Sequence, residues 1–363
     1  MPSERDQAVL DLAEKFLVEE VKPNAGAIDT DQGALGLALQ GLCARNLMAL
    51  KRPKEFGGPA LEEPAFRTFQ ESVARYSGSL AFLQTQHQSA VSMIVRGSNE
   101  ALKKDCLPLM ADGTKLVGIG FSQLRRPGPP LMVAEPMSEG YVLRGSVPWI
   151  TGLGFFPEFL VGAQLPDGSS LFAVIPLANV DSQDARITVS EPMRLAAMET
   201  AQTVSAEVRD WKISQDHVVD IKPPGWIHSS DQINIVLQAY FALGGARAGL
   251  DIVLQAYEKK GHAFLKDCWD RLDAEILACR NAMEEAQRLS GEATTDEKLK
   301  LRAWAIDLAV RCAHAGVAAS SGAANDVRHP AQRVFREALV YTVSAQTLPI
   351  MEATVERLSR ASS

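Results

Sequence analysis

The feature that most constrains the fold of this chain is a hydrophobic period that changes twice along its length. From Gln7 to about Asp112 the apolar residues recur at helical spacing, as in FRTFQESVARYSGSLAFLQTQ, which is typical of amphipathic helices. From about Lys115 to Lys222 there are short alternating or β-branched runs such as YVLRGSV and LFAVIPL, which favour strands. Helical spacing returns from Ser230 to Arg360. The chain is therefore predicted to be helical at both ends and β-structured in the middle.

This order predicts an α+β protein of several packed domains. At 363 residues the chain is long for one hydrophobic core. We expect an N-terminal helical domain over residues 1–114, a central antiparallel sheet or barrel over 115–225, and a C-terminal helical bundle over 226–363. The tetrapeptide PDGS at 166–169 is predicted to be a hairpin turn. The small residues of FALGGARAGL, 241–250, are expected where bundle helices approach closely.

The distribution of charge argues against nucleic acid as a partner. The net charge is −7, and no basic tract is present that would neutralise a run of phosphates. No run of about eighteen apolar residues occurs, and the first residues, MPSERDQAVLDLAEKF, are charged from the start. Neither a membrane span nor a secretory signal is predicted. We expect a soluble, cytoplasmic protein.

The cysteines and histidines do not predict a metal site. The five cysteines are far apart and form no CxxC pair, so they are expected to be buried thiols. The six histidines share no spacing that would place two metal ligands on one face of a helix. The motifs GxSxG and GxxxxGK[ST] are absent from the sequence, so neither a serine hydrolase nor a P-loop is indicated.

The stretch PWITGLGFF, Pro148–Phe156, places an aromatic ring, a branched aliphatic and a hydroxyl at the end of a predicted strand. On the residues alone, the favoured interpretation is a tryptophan that packs beside a turn, because buried tryptophans usually only pack. A dinucleotide site is not indicated, since GLGFFP lacks the third glycine of that fingerprint and no parallel βαβ pattern surrounds it.

Four motifs, in order, give the chain a resemblance to a known family. RPKEFGGPAL at 52–61 is similar to a PEEYGG turn, and ALKKDCLPLMADGTKLVGIGFSQ at 101–123 to the segment that opens a β-domain. PWITG at 148–152 matches a WIT signature, and RVFREALVYTVSAQT at 333–347 lines up with an RDA…YEGT segment. Over nearly its whole length the chain resembles an acyl-CoA dehydrogenase family flavoprotein. The resemblance implies a C-terminal four-helix bundle, FAD as cofactor, an acyl-CoA or related thioester as substrate, and a homodimer or homotetramer.

By this resemblance, the WIT corner lies beside the flavin. In the family the tryptophan packs against the isoalloxazine ring, and the threonine hydroxyl hydrogen-bonds near N5. Trp149 and Thr151 take these places here, with Ile150 between them. A reduced flavin needs apolar surface around it and partners for its polar ring atoms, so these three residue types suit the position.

The segments that bind phosphate in the family are reduced in this sequence. The TEPxxGSD loop becomes Ser122–Pro129, where only the hydroxyl of Ser122 and the glycine Gly128 persist. Arg125 and Arg126 either offer charge to a pyrophosphate or a CoA phosphate or belong to a solvated turn. The RxxFG loop that reaches a neighbouring subunit's FAD is shortened. FAD is therefore predicted to bind weakly or not at all.

The family's catalytic base is also missing by this alignment. Dehydrogenation needs a carboxylate that removes the substrate's α-proton, and the glutamate of YEGT corresponds to Ala345. A second subfamily's position falls near Ala239, and Tyr240 stands where the family usually has arginine. The nearest acids, none of them assigned as a base, are Glu199, Asp231, Asp326, Glu337 and Glu352. Glu337 is expected to pair with Arg336 or to cap backbone groups.

Three functions remain open on the sequence. The first is an FAD-dependent oxidoreductase of the acyl-CoA dehydrogenase type with an absent or relocated base. The second is a flavin-dependent monooxygenase or oxidase on the same fold, which needs no base for an α-carbon. The third is a degenerate member that binds an acyl-CoA or a protein partner without catalysis. Function belongs to the site rather than to the fold.

Overall fold

The structure is a computed structural model that describes residues 3–288 and 295–359. Its N-terminal part is helical, and a π-helical turn at Leu17–Val21 joins the first two helices. The helices are α1 (Glu4–Phe16), α2 (Lys22–Thr30), α3 (Gln32–Ala44), α4 (Glu63–Tyr76), α5 (Gly78–Arg96) and α6 (Glu100–Cys106). The side chains of Ser3, Asp31, Ser77 and Asn99 accept a backbone hydrogen bond in the first turn of α1, α3, α5 and α6. Such caps determine where these helices begin.

A buried histidine on α5 connects the helical part to the sheet. The ring of His87 is fully buried, and its Nε2 lies 2.8 Å from the carbonyl oxygen of Met110. Its Nδ1 accepts a hydrogen bond of 2.9 Å from the backbone N–H of Val117, the first residue of the first strand. A neutral imidazole with the proton on Nε2 satisfies both contacts. Burial lowers the pKa of His87 to about 4.

Acid is expected to destabilise the fold through His87. Because its pKa of about 4 lies below the ordinary 6.5, the unfolded chain binds more protons between these values. The free energy of unfolding therefore falls from pH 6.5 to 4, by on the order of 3 kcal/mol from this group. Urea titrations across this range should show the slope in the native protein and in His217→Gln, where the ring is exposed. If the free energy of unfolding of His87→Gln falls as much between pH 6.5 and 4 as that of the native protein, the effect does not come from His87.

Within the described residues, nine strands form one sheet. They are β1 (Val117–Gly120), β2 (Met132–Met137), β3 (Gly140–Thr151), β4 (Glu158–Gln164), β5 (Ser170–Pro176), β6 (Val180–Asp181), β7 (Arg186–Val189), β8 (Thr203–Ile213) and β9 (Val218–Lys222). The order is β6-β7-β8-β3-β2-β4-β5-β9, and β1 pairs with β4. The predicted PDGS turn is confirmed, because β4 and β5 pair antiparallel on either side of it.

The sheet is mixed, which corrects the expectation of a purely antiparallel one. β1 runs parallel to β4 over four residue pairs, and β2 meets β4 in parallel at Val133 and Gln164. The remaining pairings are antiparallel. The parallel pairs join strands that do not follow one another in the chain, so neither needs a hairpin. The sequence pattern of a short strand does not indicate whether it pairs parallel or antiparallel with its neighbour.

The C-terminal part is again helical, and two glycines let its helices approach closely. Its helices are α7 (Trp226–Asn234), α8 (Ala239–Lys260), α9 (Ala263–Arg288), α10 (Thr295–Ser320), α11 (Pro330–Val343) and α12 (Leu348–Ser359). A Cβ at Gly249 on α8 would lie 2.4 Å from the backbone carbon of Cys312 on α10, and one at Gly244 would lie 2.3 Å from the carbonyl oxygen of Glu71 on α4. The expected close approach is confirmed. None of the described helices is long and apolar enough to cross a membrane.

Candidate functional site

β3 ends with the three residues that the sequence singled out. The side chains of Ile150 and Thr151 are buried, whereas Trp149 is 49% exposed. Oγ1 of Thr151 lies 2.9 Å from Oγ1 of Thr203 on β8. This bond uses one of the two hydroxyl protons, so the other hydroxyl can still donate a hydrogen bond to another group. The strand end therefore offers an open aromatic ring beside a buried hydroxyl pair.

The 3-10 turn after β1, Ser122–Arg125, packs against β3. Gln123 holds this turn, because its Nε2 donates to the carbonyl oxygens of Gly120 at 3.2 Å and Gly162 at 2.8 Å. Oγ of Ser122 is buried without a hydrogen-bond partner among the described residues. A buried hydroxyl in this state costs free energy, so a ligand atom that bonds it would be favoured.

Arg125 does not extend into solvent but forms an ion pair with α7. Its Nε lies 2.8 Å from Oδ2 of Asp231, and its Nη2 lies 2.7 Å from Oδ1. This two-point geometry is the strong form of the arginine–carboxylate interaction. The ion pair connects the turn after β1 to the helix that precedes α8, and it uses donors that would otherwise be available to a phosphate.

Arg126 has a different environment, at a cavity between the loop after β1, the β4–β5 turn and the start of α7. The cavity has a volume of about 200 Å³, and its lining includes Arg126, Gly128, Gln123 and His228. Gly128 has a φ of +95°, the left-handed region that suits glycine. Oε1 of Gln123 is buried and has no described partner. The lining of the cavity therefore includes a cation and an imidazole.

The turn between α11 and α12 contains the position where the family glutamate was expected. Ala345 is exposed and has a φ of +48°, which is uncommon for a residue with a Cβ. The preceding carbonyl, that of Ser344, accepts a hydrogen bond of 3.0 Å from Nη2 of Arg302 on α10. The side chain at 345 is a methyl group, so this turn supplies no proton acceptor.

Arg302 is a buried cation that sequence reasoning missed. It is 2% exposed, and its Nε and Nη1 have no hydrogen-bond partner among the described residues. Burial alone lowers the pKa of Arg302 to about 10. Its Nη2 donates to the carbonyl oxygen of Ser344 at the C-terminal end of α11, where unpaired backbone carbonyls favour a positive charge. The sequence did carry a signal for this burial, because Arg302 lies four residues before the apolar Ile306 and so shares the buried face of α10.

The second expected base position, at the start of α8, also lacks a carboxylate. Ala239 and Tyr240 are both buried, and burial raises the pKa of Tyr240. Two acids that sequence reasoning did not consider lie close to this tyrosine, Glu284 on α9 and Glu71 on α4. Glu71 is buried and forms an ion pair of 3.1 Å with Arg280 on α9. This ion pair joins α4 to α9.

Four of the five acids considered as alternatives form ion pairs, and the fifth is remote from the WIT corner in sequence. Asp231 pairs with Arg125, Glu199 with Arg194, Asp326 with Arg328 and Glu337 with Arg333. Glu352 lies exposed on α12. In each of these four ion pairs a carboxylate oxygen lies within 3.1 Å of an arginine nitrogen, so the carboxylate is already engaged.

The connection between α8 and α9 is short. α8 ends at Lys260 and α9 begins at Ala263, so two residues join the helices. The first of them, Gly261, has a φ of +70°, and its N–H donates to the carbonyl oxygen of Tyr257. This is a left-handed end to a helix. No loop extends from this corner to reach another molecule.

Among residues 3–288 and 295–359, no group of three potential ligands (His, Cys, Asp or Glu) is placed to hold a metal ion. The five cysteines are free thiols, and all but Cys268 are buried. Burial raises the pKa of Cys43 to about 11 and that of Cys279 to about 12. Such thiols are almost entirely protonated at neutral pH and are poor nucleophiles.

Comparison with known proteins finds similarity to one family. Residues 3–114 match the family model described as acyl-CoA dehydrogenase, N-terminal domain. The probable acyl-CoA dehydrogenase FadE25 of Mycobacterium tuberculosis is 24% identical over 98% of this chain and 95% of its own. The 3-(aryl)acrylate reductase of Clostridium sporogenes is 20% identical over 97% of this chain and 98% of its own.

Solved structures agree on the fold. Butyryl-CoA dehydrogenase from Megasphaera elsdenii superposes with a TM-score of 0.79 at 18% identity, covering 99% of both chains. A glutaryl-CoA dehydrogenase in complex with glutaryl-CoA gives 0.81 at 17% identity, over 98% of this chain and 95% of that one. An acyl-CoA dehydrogenase from Bacillus anthracis, complexed with FAD, gives 0.79 at 18% identity, over 95% of this chain and 65% of that one. The architecture of helices, mixed sheet and helices is therefore shared.

Proposed function

We propose, on the premise that this chain is a member of the acyl-CoA dehydrogenase family, that it binds an acyl thioester of coenzyme A without removing the α-proton of the acyl group. The observation that carries the proposal is the methyl group of Ala345 in the α11–α12 turn. A positioned general base typically contributes about 10² to 10⁴-fold to such a step. The state of the five acids considered as alternative bases supports the proposal, because four of them are held in ion pairs and the fifth, Glu352, lies exposed on α12.

The residues present fit one end of an FAD molecule and not the other. The open ring of Trp149 and the unpartnered hydroxyl of Ser122 suit an isoalloxazine, which has an apolar face and polar edge atoms. The diphosphate lacks matching donors, because Arg125 is paired with Asp231 and the α8–α9 connection is only two residues long. FAD is expected to be held weakly, and no step of the proposed function passes through it.

The phosphates of coenzyme A are proposed to bind at a separate position, the cavity lined by Arg126 and His228. Arg126 and His228 at the 200 Å³ cavity offer donors to a phosphate. The cavity lies beside the turn that begins with Ser122, and that turn packs on the strand that carries Trp149. A ligand that extends from the cavity along the turn would reach the strand end. The proposal includes a homodimer or homotetramer as the assembled form.

Acyl-CoA is expected to bind the native protein, and Arg126→Ala is expected to weaken this binding by about 10 to 100-fold. The basis is one lost charge-assisted hydrogen bond of roughly 1.5 to 3 kcal/mol. Isothermal calorimetry with a saturated acyl-CoA would measure both affinities. Arg186→Ala is a matched control, because Arg186 is exposed and pairs with Asp181 at the far edge of the sheet. Undetectable binding to the native protein would refute the proposed function.

A further inference from the structure

Arg302 on α10 is a buried cation that no anion compensates. Its side chain is among the largest that the structure buries almost completely, and its Nε and Nη1 have no hydrogen-bond partner among the described residues. No carboxylate faces it in the part of the chain that the structure describes, since burial alone shifts its pKa. A guanidinium in this state destabilises the fold, because its charge and two of its nitrogen atoms lose water without replacement.

Capping of α11 does not by itself account for this burial. The hydrogen bond that Arg302 does make runs from its Nη2 to the carbonyl oxygen of Ser344, at a distance of 3.0 Å. A cation at the C-terminus of a helix interacts favourably with the last carbonyls. A lysine or arginine at the surface would provide the same interaction and keep its water. The buried position is therefore better explained by what the charge does to the peptide group that it contacts.

That peptide group joins Ser344 to Ala345, and its two polar atoms have different surroundings. The carbonyl oxygen of Ser344 faces Arg302. The bond is trans, since none of the described peptide bonds is cis, so the N–H of Ala345 points in the opposite direction. This N–H donates to no acceptor among residues 3–288 and 295–359. Because Ala345 is exposed, an oxygen atom of a ligand can approach the N–H from outside the turn.

The buried charge strengthens this N–H as a hydrogen-bond donor. An arginine that donates to a carbonyl oxygen draws electron density through the conjugated peptide group towards that oxygen, and the N–H at the other end becomes more positive. Hydrogen bonds linked in this way reinforce one another. The effect is larger around a buried charge than in water, because the surroundings screen the charge less. An oxygen atom bound at Ala345 is therefore polarised by a cation that it does not touch.

We infer that Arg302 is a positioning residue, which holds the Ser344–Ala345 peptide and strengthens its N–H as the donor to the carbonyl oxygen of the bound thioester. This inference rests on the proposed function, which supplies the thioester. A carbonyl oxygen suits the position, because it accepts a hydrogen bond and carries no proton of its own. The methyl group at 345 leaves the approach open. The protein then polarises the thioester at a turn that has no carboxylate to remove the α-proton.

Arg302→Met separates this role from a purely structural one. Replacing an unpaired buried cation with an apolar side chain of similar length is often neutral or stabilising, so the variant should unfold at the native urea concentration or above. Its affinity for a saturated acyl-CoA, measured by isothermal calorimetry, should be about 3 to 10-fold lower, the usual effect of one weakened hydrogen bond. Arg302→Lys keeps the charge and should recover much of the affinity. Arg288→Met is the matched control, because Arg288 is exposed on α9.

The infrared absorption of the bound thioester reports the polarisation directly. A saturated acyl-CoA, unlabelled and isotopically labelled at its thioester carbon, gives a difference spectrum that contains only the C=O stretch of the ligand. On the native protein this band should lie at lower frequency than in solution, and on saturated Arg302→Met it should return towards the solution value. The same band on both proteins would overturn the inference and leave the proposed function intact. Undetectable binding to the native protein would refute the proposed function, and this inference with it.

Discussion

Glu337→Gln is expected to lower the free energy of unfolding by about 3 to 5 kcal/mol, the usual cost of removing one partner from a buried ion pair. The carboxylate of Glu337 is fully buried on α11 and accepts hydrogen bonds from Nη1 of Arg333 at 2.9 and 3.0 Å. It also accepts one of 3.0 Å from the N–H of Gly78, at the first turn of α5. Burial raises the pKa of Glu337, but glutamine would leave Arg333 charged and uncompensated.

The measurement is equilibrium unfolding in urea at pH 7, with Glu285→Gln as the control. Glu285 forms an exposed ion pair with Arg288, and pairs of that kind contribute about 0 to 1 kcal/mol. The two variants make the same chemical change, so their difference isolates burial. A loss below about 1 kcal/mol in Glu337→Gln would mean that Arg333 finds another partner.

The role of Glu337 shows how far the sequence predicts a contact. The expectation that this residue is structural is supported by its burial, and capping of backbone groups is seen at Gly78. Of the two expected alternatives, capping is the one observed; the ion pair of Glu337 is with Arg333, whereas Arg336 pairs with Asp29. On a helix, neighbours four residues apart share a face and adjacent residues do not. Helical spacing therefore favoured Arg333.

Contacts between distant segments explain most of what the sequence did not predict. The order of helices, strands and helices follows from local periodicity, and periodicity is the signal that sequence carries most directly. The pairing of Arg125 with Asp231 joins residues 106 positions apart, and the pairing of Thr151 with Thr203 joins residues 52 apart. No local pattern marks such partners, so the sequence left Arg125 open between a phosphate ligand and a solvated turn.

Ala345→Glu is expected to raise dehydrogenation of saturated acyl-CoAs by about 10² to 10⁴-fold, the usual contribution of a positioned general base. The substitution restores a carboxylate at the position aligned with the family's glutamate. The left-handed backbone at φ +48° is already adopted with a Cβ present, so the larger side chain adds little to the roughly 1 to 2 kcal/mol that this conformation costs. The turn is exposed, and Arg302 continues to hold the carbonyl of Ser344.

The experiment supplies excess FAD to the native protein, to Ala345→Glu and to Ala345→Gln, and follows bleaching of the flavin anaerobically with acyl-CoAs of several chain lengths. Glutamine matches glutamate in size and lacks its charge, so only the carboxylate should produce the gain. Rapid bleaching by the native protein would show that a base exists elsewhere and would refute the proposal for Ala345. If Ala345→Glu binds acyl-CoA but bleaches no faster than Ala345→Gln, the α11–α12 turn does not lie over the thioester, because a carboxylate within reach of the α-proton would accelerate its removal.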